Sequence, residues 1–146
     1  MESRSPVVSV LIGSKSDQAV ADAAAKVLTE YGVPFEVRVL SAHRNFRELE
    51  EYLRTCGASV FIAIAGLSAH LPGFIAARTN RPVVGVPVGA KLGGVDALLS
   101  IVQMPRGVPV GCVGIDNGEN AALLAVRILA LFDPSLAEKL GSKNLG

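Results

Sequence analysis

Five short apolar runs, rich in β-branched residues and separated by helical patterns, constrain this chain more than any other feature. They are Val7–Ile12, Phe35–Leu40, Val60–Ala65, Val83–Val88 and Val110–Ile115. Most are nearly continuous in hydrophobicity, the pattern of parallel strands covered on both faces. The segments between them have a helical period. Asp17–Tyr31 places Val20, Ala24, Val27, Leu28 and Tyr31 at helical spacing and stops at Gly32. Asn45 and Glu48 have capping-box spacing ahead of Leu49, Tyr52 and Leu53. Further helices are expected over Ala69–Thr79, with Pro72 in the first turn, and over Val95–Met104, stopped by Pro105. Asn120–Phe132 is apolar almost all round, with Arg127 its only interior charge. Asp133-Pro134 then starts a short last helix before a Gly/Ser/Lys/Asn tail that should fray.

Strands alternating with helices, without repeats or linkers, predict an α/β fold. It is read as a single-domain three-layer sandwich over residues 1–146, with its core in 7–132 and a short helix and tail in 133–146. The commonest order for five parallel strands is 2-1-3-4-5, the flavodoxin-like arrangement, whose ligands bind beyond the strands' carboxyl ends where strands 1 and 3 part. Half of the residues are hydrophobic and only 18% are charged, against about a quarter in ordinary soluble proteins. So apolar a surface points to subunit contacts. Every long apolar stretch is broken by glycine, proline or charge, which argues against a bilayer span. Met1–Pro6 lacks the apolar centre of a secretory signal, so a cytoplasmic location is expected. A net charge of +1 with interspersed signs, 5% aromatics and no tryptophan argue against nucleic acid as a partner. Cys56 and Cys112 form no metal-binding or redox motif and read as small buried hydrophobes.

The expected strand order brings three loops to one crevice. Gly13-Ser14-Lys15-Ser16-Asp17 follows strand 1, Ser41-Ala42-His43-Arg44 follows strand 2, and Gly66-Leu67-Ser68-Ala69-His70 follows strand 3. The first combines a glycine turn, two hydroxyls and a helix start, which suits a phosphate, although Ser16 could equally be a helix cap. Asp17 would repel phosphate but could hold the hydroxyls of a ribose. Arg44 can grip a phosphate through paired N–H donors. His43 can give or take a proton near neutrality. The third loop is small and apolar apart from Ser68 and His70, so a ligand can approach its backbone and a neutral reactant can be kept from water. Residues 89–94, "GAKLGG", read as a flap in which Lys91 is a surface lysine. Two histidines without an acidic cluster argue against a metal site. Ala65-Gly66 stands where a phospho-accepting receiver would carry aspartate. The loops lack the aromatics usual at a flavin, and there is no Gly-x-Ser-x-Gly elbow.

These residues occur within a set of motifs: "GSKSD", "SAHR", "AHLPG", "GVPV", "LLSIVQMPRGVPVG" and "NAALLA", in this order from about Val7 to Leu140. Together they strongly resemble the N5-carboxyaminoimidazole ribonucleotide mutase family of purine biosynthesis, the phosphoribosylaminoimidazole carboxylase catalytic subunits. The resemblance implies a homo-octamer of flavodoxin-like subunits. It implies a small-molecule ribonucleotide and CO2 as reactants and no metal or organic cofactor. It assigns Ser14, Asp17 and Arg44 to the ribonucleotide, with Ser16, Ser41 and Ala42 lining the site. His43 would be the acid/base, with Gly66, Leu67, Ser68, Ala69, His70 and Leu71 enclosing the imidazole and carboxylate. Leu67-Ser68 stands where bacterial mutases commonly have Gly-Ala, Asn45 replaces Thr and Phe74 replaces Met. The expected activity is the mutase reaction. The alternatives are the sister group's direct, CO2-dependent carboxylation of aminoimidazole ribonucleotide and a non-catalytic subunit that binds a nucleotide phosphate.

Overall fold

The computed structural model describes residues 7–143, so Met1–Pro6 and the last three residues of the tail lie outside the described residues. Five strands, β1 (Val8–Ile12), β2 (Phe35–Val39), β3 (Val60–Ala65), β4 (Val83–Pro87) and β5 (Gly111–Cys112), form one parallel sheet in the order β2-β1-β3-β4-β5. Val10 lies between Val37 and Ile62 in the ladder, and Ile64 between Ile12 and Val86. Six helices cover the sheet: α1 (Gln18–Glu30), α2 (Phe46–Thr55), α3 (Leu71–Ala76), α4 (Val95–Val102), α5 (Gly118–Ala130) and α6 (Pro134–Ser142).

Strand parity divides the core. On β3, Val60, Ile62 and Ile64 face α1, α5 and α6, where they meet Leu28, Ala125 and Leu136. Phe61, Ala63 and Ala65 face α2, α3 and α4, against Leu49, Ile75 and Ile101. Each residue of β1, β3 and β4 is buried, which is why these runs show no alternation. The buried polar Ser9 is satisfied by the Tyr52 hydroxyl of α2 at 2.6 Å, as a hydroxyl inside a sheet layer requires. Tyr52 in turn donates to Glu36. Burial, followed by the Cys56 and Glu36 contacts, pushes the Tyr52 phenol well above its ordinary value and keeps it protonated.

The last strand is shorter than its sequence implies. Only Gly111 and Cys112 pair with Val84 and Gly85. Pro109 before them offers no N–H. After them the Val113 N–H still reaches the Gly85 carbonyl, but the chain then turns over Gly114–Asn117, and the Asp116 N–H goes to the Pro87 carbonyl from within that turn. Helix α3 is likewise short, because Ala69 takes a left-handed φ of 36° outside it, while Pro72 sits in its first turn as expected. The Asn45–Glu48 capping box does not form: Asn45 turns back and accepts from the Ser41 N–H. Cys56 lies just past the end of α2, and both cysteines are half-buried rather than buried. Helix α4 leaves Val95, Leu99 and Val102 exposed along one side, and Leu131 and Phe132 beyond α5 are more exposed still.

Helices α1 and α5 touch backbone to backbone. A methyl group on Gly118 would overlap the Val20 carbonyl, and main-chain atoms cannot swing aside. Gly118→Ala is expected to destabilise by about 1–3 kcal/mol through overpacking, lowering the melting midpoint by several degrees in thermal unfolding. An unchanged midpoint would contradict this close approach.

Candidate active site

The carboxyl ends of β1, β2 and β3 open into a crevice of about 330 Å³. Its polar wall begins with the turn after β1. Ser14 caps the 3-10 turn Lys15–Asp17 by accepting from the Ser16 N–H at 3.3 Å and the Ser16 hydroxyl at 3.0 Å. Ser14 is thus the cap, where the sequence offered Ser16. Asp17 follows at the start of α1 without capping it and is only 7% exposed. Burial raises its carboxyl above the usual carboxylate range, a backbone hydrogen bond at Ser14 opposes that, and the Asp116 charge adds to it. A raised carboxyl favours the fold when protonated. Ionised Asp17 therefore weakens the fold at neutral pH, and the cost disappears once the pH falls below the ordinary carboxylate range.

The turn after β2 is organised by a buried hydroxyl. Ser41 Oγ accepts from the His43 N–H and the Arg44 N–H, each at 3.2 Å. One side chain thereby fixes the backbone of both residues. Arg44 is exposed and forms no ion pair among the described residues, which leaves its guanidinium available to an anion.

The turn after β3 brings the second histidine across. Leu67 and Ala69 hold left-handed φ values of 54° and 36°, unusual for residues with a side chain. His70 comes out at the start of α3, and its Nδ1 lies 2.6 Å from His43 Nε2. The rings meet edge to face at 75° with centroids 4.8 Å apart. Such a contact requires one nitrogen to donate and the other to accept, so one proton lies between the two rings.

The crevice brings together the whole set expected from the three loops: Ser14, Ser16 and Asp17, then Ser41 to Arg44, then Gly66 to Leu71. Lys91 does not line it. Gly13, which opens the first loop, and Ala65, the last residue of β3, also line it. Ala90, which the sequence placed only in a flap, is a lining residue that sequence reasoning missed. The available signal was its place just beyond β4, one strand away from the crevice. Among the described residues there is no cluster of three or more metal-ligating side chains, and no helix is long and apolar enough to cross a membrane.

The family model described as AIR carboxylase matches residues 7–145. The N5-carboxyaminoimidazole ribonucleotide mutase of Methanocaldococcus jannaschii is 58% identical over 134 residues, covering 92% of this chain and 85% of that protein. The phosphoribosylaminoimidazole carboxylase of Schizosaccharomyces pombe is 53% identical over 142 residues, covering 94% of this chain but 26% of that longer protein. Among solved structures, Treponema denticola PurE superposes with a TM-score of 0.85 at 31% identity, covering 94% of this chain and 88% of that one. With its fold and nearly its whole length matched, the chain belongs to the AIR carboxylase family.

Proposed function

We propose that the protein is a purine-biosynthesis enzyme that converts N5-carboxyaminoimidazole ribonucleotide to 4-carboxy-5-aminoimidazole ribonucleotide, with His43 as acid/base. The observation that carries this reading is the contact between His43 Nε2 and His70 Nδ1, which puts a transferable proton between the free cation Arg44 and an apolar loop. Arg44 holds the phosphate, aided by the Ser14–Ser16 turn. Asp17 accepts from the ribose hydroxyls, whose hydrogen bonds replace the water that burial removes.

The reaction has a simple balance. The carbamate N–C bond breaks, CO2 departs, and its bonding electrons stay on the exocyclic nitrogen, which takes a proton from His43. The ring's C4 then attacks the carbon of CO2, and the C4 proton returns to His43. His70 is the resting partner of His43 Nε2, and bound substrate takes its place. CO2 carries no charge to grip, so it must be confined by shape. The small and apolar residues of 66–71 suit that task.

A second reading rests on the fission-yeast relative's printed name and on Leu67-Ser68: direct carboxylation of aminoimidazole ribonucleotide by CO2. Initial rates separate the two. The mutase is expected to turn over the carbamate without added bicarbonate. Turnover only of aminoimidazole ribonucleotide plus bicarbonate would establish the carboxylase instead, and binding with no conversion of either would leave a nucleotide-binding subunit.

His43→Asn is expected to lower kcat by about 10²–10⁴, the usual contribution of a placed acid/base, while ligand affinity stays within a few-fold. Near-normal turnover in a steady-state assay would remove His43 from the chemistry.

Assembly belongs to the same proposal. The exposed apolar side of α4, with Leu131 and Phe132, is the kind of surface that a subunit interface covers, and we assign it to a homo-octamer. Light scattering at micromolar concentration should give the octamer mass. A monomer would overturn the assignment.

A further inference from the structure

Asp116 lies outside the crevice, yet its side chain reaches the backbone just before Ala90. Its Oδ1 accepts from the Gly89 N–H at 2.9 Å, and its own N–H donates to the Pro87 carbonyl at 2.8 Å. The exit from β4 is therefore held at two points by one residue. The fit is close: a methyl group on Gly89 would lie 3.0 Å from Asp116 Oδ2. One residue further on, the Ala90 methyl stands 3.4 Å from where a Gly66 side chain would begin. Ala90 thus closes the crevice wall against the turn that carries Leu67, Ser68 and His70.

The backbone at Asp116 is one that few residues with a side chain adopt, aspartate and asparagine being the most tolerant of it. Its φ is 58°, at the third position of the turn closed by the Asn117 N–H on the Gly114 carbonyl. Glycine or asparagine is preferred where that position has a positive φ, and an L side chain there costs roughly 1–2 kcal/mol. Glycine would remove the strain but could not accept from Gly89. The carboxylate, rather than the turn, accounts for aspartate at this position.

We propose that Asp116 is a positioning residue that holds Gly89-Ala90 against the Gly66–His70 turn and so keeps CO2 in the crevice during the reaction. This rests on the functional reading above. It separates Asp116 from the groups that touch the substrate: its side chain holds the backbone of Gly89, and only its charge reaches Asp17, without contact.

The test compares Asp116→Gly with Asp116→Asn. Glycine relieves the strained φ, which offsets much of the lost Gly89 hydrogen bond and keeps the variant folded, while asparagine keeps an acceptor oxygen and tolerates the turn. Amide hydrogen exchange at Gly89 should accelerate about tenfold or more in Asp116→Gly, as loss of a hydrogen bond to a charged group implies. It should stay near the wild-type rate in Asp116→Asn. In turnover of the carbamate, Asp116→Gly should release free aminoimidazole ribonucleotide and CO2 at about ten times the wild-type proportion, and Asp116→Asn should restore product formation. If the chain proves to be the direct carboxylase, the same variant should raise KM for bicarbonate while leaving KM for the ribonucleotide unchanged. Unchanged exchange at Gly89 would overturn the positioning contact. Faster exchange with unchanged trapping would overturn its part in confinement. Failure of the functional reading would appear separately, as wild-type protein that converts neither substrate, since the exchange measurement needs no turnover.

Discussion

Burial of the three central strands on both faces is the constraint from which the rest of the structure follows. Chains that bury β1, β3 and β4 completely must carry apolar residues at successive positions, and must cover both layers with helices. Helical crossovers run each strand in the same direction, so the carboxyl ends collect on one edge. Helices then leave toward opposite faces at β1 and β3, and the gap between them opens there. The crevice is a consequence of topology before any functional residue is chosen. What selection can vary is the chemistry of the loops that end there.

Those loops are supported by very few polar atoms. Ser14 organises the first turn and Ser41 the second, each accepting two donors from within four residues. Short hydroxyls achieve what longer side chains could not, because they satisfy backbone N–H groups without filling the space a ligand needs. The result leaves Arg44 without an ion pair among the described residues and the two imidazoles in contact beside an apolar turn. A cation, a buried carboxylate and the two imidazoles thus line one crevice.

The sequence made the architecture legible because burial leaves a strong mark on composition. Val60–Ala65 reads as a buried strand from its residues alone, and the structure gives it the same bounds. Once the strand order was inferred, His43 and His70 could be brought together across 27 positions of chain. Legibility failed where structure depends on contacts that no local pattern records. Val110–Ile115 has strand-forming residues, but it lies at a sheet edge and is cut short by Pro109 before it and the Gly114–Asn117 turn after it. Asn45 has the residue type and spacing of a helix cap, yet its side-chain oxygen accepts from the Ser41 N–H and from none in the helix. Ala90 carries no chemical signal at all, since a methyl group matters only through what it touches.

The distribution of strained backbone bears on how the site is kept ready. Leu67, Ala69, Leu92 and Asp116 are the four non-glycine residues with positive φ among those described. All of them follow the carboxyl ends of β3, β4 or β5, the edge at which the crevice opens. Residues held this way persist only where their surroundings over-determine them, and here the rigid sheet provides that support. Leu67 is the clearest case, because glycine at this position would carry no such strain. Its side chain is 54% exposed, so burial of leucine does not offset the cost. The cost is instead set against a turn that delivers His70 within 2.6 Å of His43. A relaxed turn could place either ring, but it would leave their separation to chance. The strain thus sits on the turn that sets this separation, and the buried strands bear it.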